Sequence, residues 1–222
     1  ERHDATTQQA EYWVRIPLVS SSEDTEFYLY FGKADAPAAV DSTAVWSGDY
    51  ASVWHMVDET ALSVKDSTAN QNTGVKIGTN QPQAVAGHIA GAQVYGGTDY
   101  LQIAPAGSLN VSNIMTAAAW IRPGITNRQT IYSHGANAAG GFQLEINGQG
   151  AGSLGTIVPG EFAAYTGAGL FNTGTWNHVA YVRTGTGIGN HALYFNGVPQ
   201  ALGANAGPNY ADQTSPTLIG AR

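Results

Sequence analysis

The 222 residues contain no cysteine, so disulfides and thiolate metal sites are both excluded. Charge is scarce as well: 11% of residues are charged, against about 25% in ordinary soluble domains. Solubility must therefore rest on Gly, Asn, Thr, Ser and Gln, which suits a β-rich fold with polar loops better than a helical one. Basic residues are few and dispersed, and the net charge is −7. A phosphate backbone would be repelled, so nucleic acid is not an expected partner. No apolar run approaches the roughly 18 residues of a helical membrane span. Glu1-Arg2-His3-Asp4 also lacks the apolar core of a secretory leader.

What is present points to strands. Hydrophobic residues make up 43% of the chain, enough for a real core. Short β-rich runs separated by Gly, Asn, Asp and Pro recur without internal repeat. Strands are expected near Val53, at 92–95, 100–103, 114–121, 129–134 and 142–147, then at 156–158, 162–165, 177–183, 192–195 and 217–219. Tyr12-Trp13-Val14-Arg15-Ile16 and Glu26-Phe27-Tyr28-Leu29-Tyr30-Phe31 flank a Ser/Glu/Asp turn, the pattern of a hairpin. Residues 34–45 read as a loop or one helical turn. Asn147-Gly148 and Asn196-Gly197 stand at turn positions where a type I′ geometry needs positive φ at both central residues. Acids crowd the first third: residues 1–66 hold twelve against four bases, whereas residues 67–222 hold four against five.

The order of motifs from Val53 onward resembles a LamG-like, concanavalin A-like jelly-roll domain. The residues that carry the likeness are Val53-Trp54-His55-Met56, the polar loop from Asp66 to Gly74, the glycine-rich passage from Ala86 to Leu101, Met115 to Pro123, Thr175-Trp176-Asn177-His178-Val179-Ala180 and Leu193-Tyr194-Phe195-Asn196-Gly197. Residues 1–50 resemble the latter half of a domain of unknown function that often precedes such modules in bacterial surface proteins. Trp13-Val14-Arg15-Ile16-Pro17 and Phe27-Tyr28-Leu29-Tyr30-Phe31-Gly32 carry that likeness, with His3-Asp4-Ala5-Thr6-Thr7. The resemblance implies an all-β, two-sheet antiparallel jelly-roll sandwich over 51–222, with an N-terminal β-hairpin extension over 1–50. It also implies a secreted or cell-surface location. The family's final strand has no counterpart after Ile219, and a sandwich short of one strand exposes backbone groups that recruit another. The hairpin over 11–31, or a neighbouring copy in a homo-oligomer, is expected to supply it.

Two constellations carry candidate chemistry. In the loop Asp66-Ser67-Thr68-Ala69-Asn70-Gln71-Asn72, the Asp66 carboxylate with Asn70 and Asn72 offers the hard oxygens that calcium takes, and the resemblance implies a calcium role there. The alternative is an Asx-turn in which Asp66 bonds its own backbone. The second constellation is a glycan surface. Alternation along 114–122 puts Met115, Ala117, Ala119 and Ile121 on one face and Thr116, Ala118, Trp120 and Arg122 on the other. Along 142–147, Gln143 and Glu145 oppose Phe142, Leu144 and Ile146. If strands 114–121, 129–134 and 142–147 form a meander, then Trp120, Tyr132, His134, Gln143 and Glu145 share one outward face. An aromatic ring ringed by hydrogen-bonding groups is what a sugar requires, and the expected partner is a polysaccharide or glycoprotein.

Catalysis is not expected. A retaining glycosidase needs two carboxyl groups about 5–5.5 Å apart, and no E-x-D-x-x-E triplet occurs. Three functions follow: a non-catalytic extracellular recognition module, a self-assembling structural unit with open sheet edges, and a degenerate glycoside hydrolase.

Overall fold

The structure is a computed structural model that describes every residue except 1, 5, 36–40, 111–112, 136–140, 159–160, 205–213 and 222. A small hairpin opens the chain, Arg2–Asp4 (β1) against Gln9–Glu11 (β2). Residues 12–35 form no ladder, so the hairpin expected over 11–31 is corrected. The Tyr12 and Phe27 runs stay mostly exposed, and neither finds a partner strand among the described residues. One helical turn, Ser42–Val45 (α1), is capped by Asp41, whose Oδ1 accepts from the Ala44 backbone N–H.

The body is an antiparallel sandwich. Its larger sheet gathers Trp54–Thr60 (β3), Ser63–Asp66 (β4), Gly74–Ile77 (β5), Tyr100–Ile103 (β8), Gln129–His134 (β10), Phe142–Ile146 (β11), Leu154–Val158 (β12), Glu161–Tyr165 (β13), Gly203–Ala204 (β17) and Thr217–Ile219 (β18). Across that sheet the order is β17-β13-β12-β11-β10-β18-β8-β5-β4-β3. The smaller sheet takes Ile114–Ile121 (β9), Asn177–Thr184 (β14), His191–Phe195 (β15) and Val198–Pro199 (β16), in the order β16-β15-β14-β9. A separate hairpin, Gln83–Ala86 (β6) with Gly91–Val94 (β7), lies over β3. There Gln93 Nε2 donates to the Met56 carbonyl at 2.9 Å and to Asp58 Oδ1 at 2.7 Å.

Alternation along the strands builds the core. Phe142, Leu144, Ile146, Leu154 and Ala164 face Val179, Tyr181 and Leu193 across the two sheets. Phe142 and Tyr181 stack with centroids 5.3 Å apart. A second cluster, Val64, Leu101, Ile103, Leu109 and Ile219, lies under the other half of the larger sheet. The turn at Asn196-Gly197 has φ of 48° and 80°, as a type I′ turn requires. At Asn147-Gly148 only Asn147 is left-handed, with φ of 62°. Its Oδ1 accepts from the Gly152 backbone N–H and closes a longer loop there. The strand at 217–219 is no edge: it lies between β10 and β8. Among the described residues the outermost strands of the two sheets are β3, β17, β16 and β9, and the 12–31 segment pairs with none of them.

Candidate functional site

The five residues of the expected glycan surface do not share a face. Strands β9 and β10 follow each other in sequence but belong to opposite sheets, because β9 pairs with β14 along its whole length while β10 pairs with β11 and β18. Trp120 is thus on the far side of the sandwich from Gln143 and Glu145. Tyr132 and His134 are displaced for a different reason. The register between β10 and β11 runs Thr130↔Glu145 and then Tyr132↔Leu144: Ile131 is the extra residue of a β-bulge, and a bulge reverses the phase of alternation. Tyr132 and His134 therefore point inward with Leu144 and Phe142.

His134 is fully buried, with Nδ1 2.7 Å from Thr217 Oγ1. Burial pushes the Tyr132 hydroxyl above its ordinary pKa, and a hydrogen bond with Thr217 offsets part of that rise. Both residues are structural. Glu145 and Gln143 do point outward. Glu145 is nevertheless 1% exposed, held by Arg128 Nε donating to Oε2 at 2.6 Å.

Trp120 is 41% exposed, and one face of its ring is covered. The His88 ring, from the tip of the β6–β7 hairpin, lies 3.9 Å away centroid to centroid, and His178 stands edge-on at 5.3 Å. A sugar stacks on an aromatic face, and here that face is occupied. The hairpin tip is itself held, since the Ala90 backbone N–H donates to Glu11 Oε2 at 2.8 Å.

The Asp66 loop is built around its carboxylate. Oδ1 accepts from the Val53 and Thr68 backbone N–H groups at 2.9 and 3.0 Å. Oδ2 accepts from the Asn72 backbone N–H at 2.9 Å and from the Thr68 and Ser52 hydroxyls at 2.9 and 3.1 Å. A carboxylate offers about four lone-pair sites, so five donors leave none for a cation. Asn70 and Asn72 turn their amide nitrogens, not oxygens, to the Ala51 carbonyl at 2.9 and 3.0 Å. In this arrangement the three residues do not fit a calcium ion, and they do form the Asx-type turn. Among the described residues no group of three or more His, Cys, Asp or Glu stands together as a metal site.

The sequence reading missed an aromatic cleft of about 310 Å³, formed where residues 13–16 pass α1 and the chain leading into β3. Trp13 and Trp46 meet edge to face at 5.1 Å, Trp46 and Tyr50 do the same at 5.2 Å, and His55 packs beneath both tryptophans. Tyr50 is 51% and Trp13 40% exposed. Arg15, whose Nη1 donates to the Ala44 carbonyl at 3.3 Å, lines the same cleft with Ser47. Flat rings beside a few polar groups, in a volume at the lower end of small-ligand pockets, suit one or two sugar rings. The signal in the sequence was the recurrence of Trp and Tyr at 13, 46 and 50. It is legible only once α1 folds the chain back.

Known proteins place the fold. A structure of domain 4 of AbnA, a GH43 extracellular arabinanase from Geobacillus stearothermophilus in complex with arabinotriose, superposes with a TM-score of 0.54 at 19% identity, covering 71% of this chain and 78% of that one. No curated protein matches the sequence. A family profile matches residues 95–222, which carry β8 through β18 and hence the whole four-stranded sheet. With the two-sheet architecture above, this establishes that the chain belongs to the concanavalin A-like lectin/glucanases superfamily.

Proposed function

We propose that this protein is a non-catalytic, extracellular carbohydrate-binding module that holds its ligand in the cleft of Trp13, Trp46 and Tyr50. The observation that carries this reading is the cleft: partly exposed aromatic rings and polar Arg15 converge there, while the ring of Trp120 is capped by histidines. The superfamily fold and a neighbour that binds arabinotriose favour sugar over other small ligands. The absence of catalysis is argued from Glu145, which pairs with Arg128 at 2.6 Å, and from the lack of an E-x-D-x-x-E triplet in the sequence. No described helix is long and apolar enough to cross a membrane.

Titration calorimetry with arabino-oligosaccharides and a polysaccharide panel tests the proposal. Tyr50→Ala and Trp13→Ala should each weaken binding about tenfold, the value of one aromatic stacking contact, while Trp120→Ala leaves it unchanged. Loss of binding in Trp120→Ala alone would move the site to β9. Release of reducing sugar would make the protein an enzyme.

Calcium at the Asp66 loop is opposed by this geometry, because the ion would have to displace the Ser52 and Thr68 hydroxyls from Oδ2. A ligand that binds only the folded state raises its stability, so melting curves of the native chain with millimolar calcium and with chelator are expected to coincide. A calcium-dependent rise in the native chain that Asn72→Ala lacks would return the ion to the loop.

A further inference from the structure

The inward row of β9 is incompletely covered. Met115, Ala117, Ala119 and Ile121 pack on the core but stay half-exposed, whereas Val179 and Tyr181, the inward residues of the neighbouring β14, are fully buried. The difference follows from position: among the described residues β14 has a strand on both sides, and β9 has one on the β14 side alone. The edge formed by residues 115–121 carries no charge and no proline, the usual means by which natural sheets block strand addition. Its middle is Ala117-Ala118-Ala119, small residues that leave room for large side chains on an adjacent strand.

The same chain presents a segment with the complementary pattern. Phe27, Tyr28, Leu29, Tyr30 and Phe31 are 63, 72, 63, 90 and 92% exposed and belong to no ladder. With a period of two, Phe27, Leu29 and Phe31 share one face and Tyr28 and Tyr30 the other. That is an apolar row for the core side and an amphipathic row for the water side.

We propose that residues 26–31 of one copy add as a strand to the β9 edge of a second copy. The phenylalanines and Leu29 then cover the half-exposed row of β9, and the two tyrosines lie beside Thr116 and Ala118 on the outer face. Donor and acceptor are different surfaces, so the contact is head-to-tail and generates rings or open chains rather than a closed twofold dimer.

Two variants separate the halves. Leu29→Lys puts a charge in the donor's apolar row and leaves the edge intact. The double variant Thr116→Lys/Ala118→Lys charges exposed positions of the edge and leaves the donor intact. Light scattering coupled to size exclusion should show the native chain growing in mass with concentration and each variant remaining at 23.2 kDa. An equimolar mixture of the two should form a one-to-one complex of twice that mass and nothing larger, because only one productive junction exists. Circular dichroism melts of both variants check that they fold. A native chain that stays monomeric at every concentration, a folded variant that still assembles, or a mixture that remains monomeric would each overturn the proposal.

Discussion

Replacing Asp66 with alanine is expected to lower the melting temperature by about 10 °C. Asp66 is 2% exposed, and its two oxygens collect five donors from Ser52, Val53, Thr68 and Asn72. Alanine removes all five bonds and leaves three backbone N–H groups short of an acceptor. Each such buried donor costs about 1–3 kcal/mol. Partial relaxation brings the expected total to about 3–5 kcal/mol, and for a domain of this size each kcal/mol is worth about 2–4 °C. The loss should be local at first. Asn72 depends on the same carboxylate, and its carbonyl accepts the Trp54 indole N–H at 2.8 Å, so tryptophan fluorescence should change before the bulk of the sheet melts. A Ser52→Ala variant, which loses the hydroxyl's bond to Asp66 and the one it accepts from Asn72 Nδ2 but strands no backbone group, should cost about 1–2 kcal/mol. An Asp66→Ala variant as stable as the native chain would show that the loop does not depend on this carboxylate.

The second large effect comes from a charge inside the sandwich. Lys76 pairs in register with Leu101 and so points inward from β5; its side chain is 3% exposed, and Nζ lies 2.7 Å from Asp58 Oδ1. Removing one member of a buried ion pair strands the other, at about 3–5 kcal/mol. Because Asp58 is 29% exposed, water reaches part of the site, and Asp58→Ala is expected to cost about 2–4 kcal/mol. It also removes an acceptor of the Gln93 amide, loosening the β6–β7 hairpin from β3. Lys76→Met should cost less, since the member it leaves is the more exposed Asp58, which water and the Gln93 amide still solvate, and replacing both members by apolar groups is often neutral or better. The double variant Asp58→Ala/Lys76→Met should therefore be more stable than Asp58→Ala alone. Chemical denaturation of the three proteins decides this: additive costs would mean that the pair is not coupled.

Both results concern residues whose type was visible in the sequence and whose environment was not. Asp66 stood out as a carboxylate in a polar loop, with calcium and an Asx-turn as open alternatives. Only the fold, by bringing Ser52 and Val53 back alongside it, supplied enough donors to saturate both oxygens. Lys76 gave no signal, because no strand was expected over 74–77 and nothing local marks a lysine there as buried. Strands β1, β2 and β6 were also missed, whereas the run at 92–95 anticipated β7: Arg2–Asp4, Gln9–Glu11 and Gln83–Ala86 hold a single β-branched residue, Val85, and no aromatic one.

The grouping of Trp120 with Tyr132, His134, Gln143 and Glu145 failed at two places where period-two reasoning stops. Alternation along one strand assigns residues to its faces, and it did so correctly for β9 and β11. It does not say which sheet the next strand enters, and β9 and β10 enter different ones. Nor does it register a bulge, and the one at Ile131 turns Tyr132 and His134 inward. The N-terminal runs at 12–16 and 26–31 had the composition of a hairpin, yet a strand is stable only against a partner, and neither run has one among the described residues.

The sequence by itself determined the class of the fold and most of its strands, because hydrophobic alternation and turn chemistry are local and are written in consecutive residues. The tertiary structure decided which faces meet, which carboxylate is saturated, and where aromatic rings stay open to a ligand. Those depend on sheet order, register shifts and chain reversal, which bring together residues as distant as Trp13, Trp46 and His55; no local pattern encodes such contacts.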